Sequence, residues 1–220
     1  TGTNKMKNLL NRPVFMVLMA IIFIFIGNYV FVPPSFDLSL GSLFIKTVLA
    51  AVGMLVLPLL TIKYVFKKGW REFGFKKPDN LKQAIKLTGL FLAANLLLLL
   101  LFSRNEEFQF YYGLLDNSWG FFFLNAILFG SIYYLAEEFL FRGFLFLGLF
   151  NRIGSKSYLI TSVIFAAAHW SKSYTEIIYS FGISWWLCWL TLKTKSFLPA
   201  ALAHFGAALI LNIFINYIFV

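Results

Sequence analysis

The sequence predicts an all-α protein, a bundle of about seven transmembrane helices, and two observations support this class. Of the 220 residues, 60% are hydrophobic and only 13% are charged, whereas about a quarter of the residues in a water-soluble domain are charged. The hydrophobic residues also form long runs, several of which approach the ~20 residues that a helix needs to cross the hydrocarbon core. The lipid bilayer is therefore the first partner that the sequence predicts.

Seven apolar segments are predicted to be the spans, and the residues around them indicate how each one ends. Pro33 and Pro34 stop the first span, because proline cannot donate to the helical hydrogen-bond ladder. The fourth is too long to stand upright at 1.5 Å per residue, so we expect it to tilt or to break, with Gly130 as the candidate. The fifth, which ends at Trp170, is short. The predicted spans are residues 14–32, 43–66, 87–102, 119–150, 158–170, 177–192 and 197–219.

The distribution of lysine and arginine predicts the orientation of these spans. Segment 67–86 is densely basic, whereas segments 31–42 and 103–118, on the opposite side of the membrane, hold few basic residues and several acids. Because cytoplasmic connections carry an excess of lysine and arginine, we expect a cytoplasmic N-terminus and a C-terminus outside. The net charge of +10 is then explained by contacts with lipid headgroups. A partner-binding surface is the alternative for the basic segment, and no nucleic-acid partner is expected.

The acidic and histidine residues predict one functional site. Of nine acids, only Glu137 and Glu138 lie within a predicted span, and both histidines, His169 and His204, lie in two other spans. An ionisable group in hydrocarbon costs ~3 kcal/mol on insertion scales and marks a functional site. We therefore expect the four groups to converge in a chamber within the cytoplasmic half of the membrane. Residues 119–220 would be the catalytic helices and residues 1–118 their frame, within one membrane domain.

The segment EEFLFR suggests separate roles for its two acids. Glu138 and Arg142 are four residues apart with the acid first, which favours an ion pair on one helix face. Glu137 is turned by about 100° from Glu138, so it can face a cavity and act as a general base. A purely structural salt bridge is the alternative for the pair. The two histidines could orient water, stabilise an oxyanion or, with Glu137, bind Zn²⁺; the spacing does not separate a metal site from a metal-free one.

The motif EExxxR at residues 137–142, the motif FxxxH at residues 165–169 and His204 in the last span together resemble the CPBP family. This family, also called Abi, unites the type II CaaX prenyl endopeptidases with bacterial bacteriocin-processing and immunity proteins. The resemblance covers about the last hundred residues. It implies an intramembrane protease in a bacterial plasma membrane, with a membrane-associated peptide or protein as substrate and a site that opens toward the cytoplasm.

The resemblance also implies a role for each candidate residue. Glu137 would be the general base, working with His169 on the attacking water. Glu138 with Arg142 would support the site, and His204 would face the oxyanion. The family is often described as metalloproteases, although a metal-free glutamate mechanism has also been argued for it, so a zinc cofactor stays open.

One departure from the family's pattern supports an alternative function. Members commonly carry an asparagine four residues after the last histidine, and this chain has Ala208 there. Asn212 lies about 12 Å from His204 along a straight helix. Losing one oxyanion donor costs roughly a hundred- to a thousandfold in rate. The alternative is therefore a catalytically weak or silent scaffold that binds another membrane protein, in a bacteriocin-immunity type of role. A transporter would predict inverted repeats, which the sequence does not show.

Overall fold

The computed structural model describes residues 13–28, 40–113 and 118–219 of the chain, and the secondary structure within them is helical. Four helices are long and apolar enough to cross a membrane, namely α2 (Gly41–Val65), α3 (Leu81–Phe102), α5 (Trp119–Ile153) and α8 (Leu198–Ile218). The other α-helices are α1 (Pro13–Asn28), α4 (Glu106–Tyr112), α6 (Lys156–Ala168) and α7 (Tyr174–Thr194), and a short 3₁₀ helix covers Trp70–Phe73. The chain is thus a polytopic helical membrane protein.

Each of the seven predicted spans has a matching helix, and the short helix α4 was not predicted. The Pro33–Pro34 stop and the predicted end of the first span lie outside the described residues. Four helices have a polar N-cap residue whose side chain accepts a hydrogen bond from a backbone N–H of the first turn. These residues are Asn80 for α3, Asn105 for α4, Ser118 for α5 and Ser173 for α7. Such a cap typically stabilises a helix by about 1 kcal/mol.

Helix α5 is 35 residues long and carries the acidic motif. Of the two expectations for this span, a tilt or a break, a break at Gly130 is wrong: that residue has φ −59° and ψ −43°, and the helix continues through it. Instead the helix widens into π-helical turns over Phe123–Phe129 and Phe139–Leu147. The second of these segments starts directly after Glu138, and π-helical turns inside α-helices are often found at functional sites. Helix α6, by contrast, is short, with 13 residues, as the sequence predicted.

Two buried apolar clusters lie on either side of the acidic motif. The first joins α1 and α2 to α5, and its aromatic members include Phe23 and Phe144, whose ring centroids are 5.6 Å apart. The second joins α3, α7 and α8 through residues such as Phe91 and Ala203. The apolar residues of the motif, Phe139, Leu140 and Phe141, belong to the first cluster, so its packing holds the motif in place.

The connections 66–80 and 194–197 are tied to each other at one end of the bundle. The Ser196 hydroxyl donates to the Lys76 carbonyl over 2.6 Å, and the Asp79 N–H donates to the Thr194 carbonyl over 3.3 Å. Ion pairs with Lys76 and Lys195 hold the pKa of the exposed Asp79 carboxyl below its usual range. This end carries most of the basic residues and is called the basic face below.

Helices α1 and α2 cross at two glycines, and this crossing gives a first prediction. A Cβ added to Gly53 would lie 2.6 Å from the backbone nitrogen of Gly27 and 2.7 Å from its Cα. Because these are backbone atoms of α1, the clash with the added methyl group can be relieved only by a shift of that helix. We therefore expect Gly53→Ala to destabilise the protein by about 1–3 kcal/mol. Thermal melting in detergent measures this. The control Gly89→Ala has no neighbour within 4 Å and should leave the melting temperature unchanged or slightly raised. An unchanged melting temperature for Gly53→Ala would contradict the close crossing.

Candidate active site

The structure brings three of the four predicted ionisable groups together in the middle of the bundle. Glu137 and Glu138 come from near the midpoint of α5, and His204 comes from the second turn of α8. One ligand atom from each of the three lies within 4.8 Å of the others. The side chains of Glu137 and Glu138 are buried, with 5% and 0% of the residue surface exposed. Long-range packing of α8 against α5 thus makes a compact acid–histidine cluster.

Glu138 is held from both sides by cationic or N–H groups. Its Oε1 accepts a hydrogen bond from Nδ1 of His204 over 2.8 Å, and its Oε2 lies 3.0 Å from Nε of Arg142. The Arg142 guanidinium is fully buried and stacks on the ring of Phe165, with its central carbon 4.3 Å from the ring centroid. Such cation–π contacts add to the stability of a desolvated arginine. The predicted ion pair is therefore present, and it also reaches His204.

Glu137 is the less constrained of the two carboxylates. Its Oε1 is 3.5 Å from the Tyr133 hydroxyl, and its Oε2 is 3.5 Å from Nδ1 of His204, which are long contacts for hydrogen bonds. Glu137 lines the main cavity of the protein, and Glu138 does not. The neighbours thus differ as the sequence predicted: one is fixed behind the site and the other faces an open space.

His169 lies at the end of α6, in the same cavity as Glu137. Its Nδ1 is 2.8 Å from the Phe165 carbonyl, so Nδ1 carries the proton and Nε2 is left as an acceptor. The ring of Phe165 lies between the two histidines, 4.7 Å from the ring of His169 and 5.8 Å from that of His204. The two imidazoles therefore share a cavity without touching.

Asn212 does not take the place of the missing asparagine. Its amide donates to the carbonyl of Ala208, over 2.9 Å within its own helix. It lines a neighbouring cavity, while Ala208 lines the main one. Ala208 also lines the neighbouring cavity, and its methyl group offers the site no hydrogen-bond donor.

The main cavity has a volume of about 420 Å³ and a wall that is mostly aromatic and aliphatic. Glu137, Phe165 and His204 form its floor. Its upper wall is formed by the C-terminal end of α3, by α4 and by the connection between α6 and α7. None of the lining residues belongs to the described connections of the basic face. The lining residues reach the opposite end of the bundle, so the expectation that the site opens toward the basic segment is wrong for this cavity. The side of the membrane on which that end lies stays a prediction.

The rim of the cavity contains polar residues that the sequence analysis missed. Tyr112 donates to Oε1 of Glu176 over 2.5 Å, and Nζ of Lys172 lies 2.8 Å from the same oxygen. Lys172 also contacts the Tyr112 hydroxyl. Glu176 is 7% exposed, although it lies outside the predicted spans. The i, i+4 spacing of Lys172 and Glu176 was the available signal.

The described residues do not fit a resident zinc ion as they are arranged. The predicted set of Glu137, His169 and His204 does not assemble, because among the described residues the ligand atoms that lie within 4.8 Å of one another belong to Glu137, Glu138 and His204, without His169. In the group that does assemble, Oε1 of Glu138 is hydrogen bonded to Nδ1 of His204 and Oε2 is paired with Arg142. The two oxygens of Glu138 would have to give up these contacts to bind a metal ion, because a ligand atom must be deprotonated and free. The chemistry proposed below therefore uses the side chains alone.

Comparison with protein families gives one match, and it covers the whole candidate site. The family model described as type II CAAX prenyl endopeptidase Rce1-like matches residues 91–210, which is more than half of the chain. No curated protein and no solved structure matched the chain. The matched region runs from α3 into α8, and the resemblance seen in the motifs is thereby confirmed. The chain belongs to the Rce1-like family of type II CAAX prenyl endopeptidases, which are membrane proteases.

Proposed function

We propose that this protein is an intramembrane endopeptidase that hydrolyses a membrane-associated peptide or protein with a water molecule activated by Glu137. The observation that carries the proposal is the asymmetry of the two carboxylates. Glu138 is tied to Arg142 and His204, whereas Glu137 has only long contacts and faces the cavity. A buried carboxylate with room for water beside it is suited to general base catalysis.

The chemistry proceeds in two balanced steps. Glu137 takes a proton from water while the hydroxide oxygen bonds to the scissile carbonyl carbon, and Nε2 of His169 accepts a hydrogen bond from the same water. When the carbon–nitrogen bond breaks, Glu137 returns the proton to the leaving amine. His204, in its protonated form, donates from Nε2 to the oxyanion, and the Glu138 carboxylate behind it stabilises the ring's positive charge, as in other acid–histidine pairs.

The proposal includes the arrangement of the chain in its membrane. We place seven spans, corresponding to α1, α2, α3 and α5–α8, with the N-terminus in the cytoplasm and the C-terminus outside a bacterial plasma membrane. Residues 119–220 supply the catalytic side chains, and residues 1–118 frame them. The frame also contributes to the cavity wall through Phe91, Leu99 and Phe102 of α3.

The competing function is a silent scaffold that binds another membrane protein. The observation that favours it is the lack of a side-chain donor at Ala208, while the Asn212 amide is hydrogen bonded within its own helix. A scaffold would keep the buried cluster for stability alone. It would bind a partner in the membrane and would release no product from it.

Cleavage by purified protein separates the two functions. Wild-type protein in lipid vesicles, incubated with a library of membrane-anchored peptides, should give defined fragments in mass spectrometry, with or without a metal chelator. The control Glu107→Gln removes an exposed carboxylate on α4 and should cleave like the wild type. If folded wild-type protein gave no fragment from any peptide, the scaffold would be favoured. If the chelator abolished cleavage and the purified protein held one zinc ion per chain, the metal-free chemistry would be wrong.

A further inference from the structure

Several fully buried polar side chains have no hydrogen-bond partner among the residues that the structure describes. The Arg142 guanidinium directs Nε toward Glu138, but its two terminal nitrogens, Nη1 and Nη2, are without a partner in this part of the chain. The same holds for the hydroxyls of Thr161, Ser162, Ser184 and Thr191, and all five side chains are 0% exposed. Because folded proteins rarely leave buried donors unsatisfied, these groups indicate a ligand that hydrogen bonds to them.

Four of these five side chains, all except Thr191, belong to one layer of the bundle, behind the floor of the main cavity. The Arg142 guanidinium of α5 stacks on the ring of Phe165 of α6, with 4.3 Å from its central carbon to the ring centroid. Thr161 and Ser162 precede Phe165 by four and three residues, so they lie one turn away on the same face of α6. Helix α6 therefore brings two hydroxyls to the side of Arg142.

Ser184 reaches the same layer from α7. It follows Ser180, which lines the main cavity, by one turn, and it precedes Cys188 by one turn. The Cys188 thiol lies close to Ser184 and within electrostatic range of Arg142. A thiol is only a weak hydrogen-bonding group, so it does not satisfy the hydroxyl. We call Arg142, Thr161, Ser162 and Ser184 the rear polar group.

Apolar side chains close the rear polar group on two sides. The Phe165 ring lines the main cavity and stacks on Arg142, so it separates the cavity from the group. Toward the basic face, Phe146, Tyr158 and Cys188 form a small buried cluster. No member of the group lines the main cavity. A ligand held there would therefore be enclosed between α5, α6 and α7.

We propose that the rear polar group is a binding site for ordered water, which accepts hydrogen bonds from Nη1 and Nη2 of Arg142 and bonds to the hydroxyls of α6 and α7. The charge of Arg142 is already balanced by Glu138 at 3.0 Å, so a buried anion would meet a carboxylate and leave a charge unpaired. Water is neutral and can both donate and accept. A buried water molecule typically makes about three hydrogen bonds, and three helices supply them here.

Two substitutions of Thr161 distinguish bound water from dry packing. Valine keeps the shape of threonine without the hydroxyl, whereas serine keeps the hydroxyl and loses a methyl group. If the hydroxyl binds water, Thr161→Val should melt at a lower temperature than Thr161→Ser. If the hydroxyl is dry and unpaired, valine should be neutral or stabilising, and only serine should lower the melting temperature, through the space that it leaves.

The matched control is Thr61→Val, because the Thr61 hydroxyl is also buried but donates to the Leu57 carbonyl within α2, over 2.8 Å. We expect the melting temperature to fall by more for Thr161→Val than for this control. Thr161→Val melting at or above the temperature of Thr161→Ser would overturn the inference.

A high-resolution structure of the purified protein in lipid nanodiscs shows the ligand directly. We expect density for water within hydrogen-bond distance of Nη1 or Nη2 of Arg142 and of at least one of the three hydroxyls. Hydroxyls bonded directly to the guanidinium with no water between them would overturn the inference, as would anomalous scattering from bromide at this position. None of these measurements uses cleavage, so the water site and the proposed function succeed or fail separately.

Discussion

Replacing Glu137 by glutamine is expected to abolish peptide cleavage while the protein keeps its fold. The amide has the same shape as the carboxylate but cannot take a proton from water, so the rate should fall by about 10²–10⁴-fold. The melting temperature should change little, because the contacts of Glu137 to Tyr133 and His204 are long, at 3.5 Å each. The measurement is the initial rate of product formation beside a thermal melt of the same preparation.

The matched control for this variant is Glu107→Gln, which makes the same chemical change on an exposed helix. It should keep the wild-type rate. An active Glu137→Gln protein would remove the general base from the mechanism, and Glu138 could not replace it without losing its contacts to Arg142 and His204. A Glu137→Gln protein that fails to fold would instead show that the residue is structural.

Replacing Arg142 by alanine is expected to cost stability first. The change would leave Glu138 buried beside only one donor, His204, and stranding one member of a buried ion pair typically costs about 3–5 kcal/mol. It would also remove the guanidinium that stacks on Phe165. We expect a large drop in melting temperature in detergent and a low yield of folded protein.

Two further variants make the Arg142 result interpretable. Lys68→Ala breaks an exposed pair with Glu72, 3.3 Å long, and should cost less than about 1 kcal/mol. Adding Glu138→Gln to Arg142→Ala removes the stranded charge and should recover part of the lost melting temperature, which a double-mutant cycle quantifies. A stable Arg142→Ala protein that had lost cleavage would assign the arginine to the reaction instead of the fold.

The sequence predicted the long helices well because their signal is local. An apolar run bordered by charged or turn residues identifies a buried helix without knowledge of its neighbours. Helix α4 was missed for the same reason: its seven residues, EEFQFYY, are too few and too polar for such a signal. The break expected at Gly130 failed because glycine only permits a break, and the packed neighbours of α5 keep that helix continuous.

The convergence of Glu137, Glu138 and His204 was also predictable, because ionisable groups in an apolar span need partners. The direction in which the site opens was not. That direction is set by side-chain contacts between distant segments, such as Tyr112 with Glu176 at the rim and Phe165 with His204 at the floor. These contacts cannot be identified from a single sequence. The depth of a residue in its span therefore does not indicate toward which end of the bundle the cavity around it opens.

The first of the two buried apolar clusters has a consequence for the electrical integrity of the membrane. A hydrated cavity that reaches the middle of the bilayer shortens the insulating path, so most of the transmembrane voltage would fall across the layer beneath it. Moving one elementary charge through 100 mV corresponds to about 2.3 kcal/mol. The acid on the floor of the cavity would bind protons that cross the membrane. Phe139, Phe144 and Phe197 of that cluster are fully buried, and so is Arg142, one turn beyond Glu138 on the way to the basic face. Their close packing would therefore hinder the passage of water and protons from the cavity to the basic face.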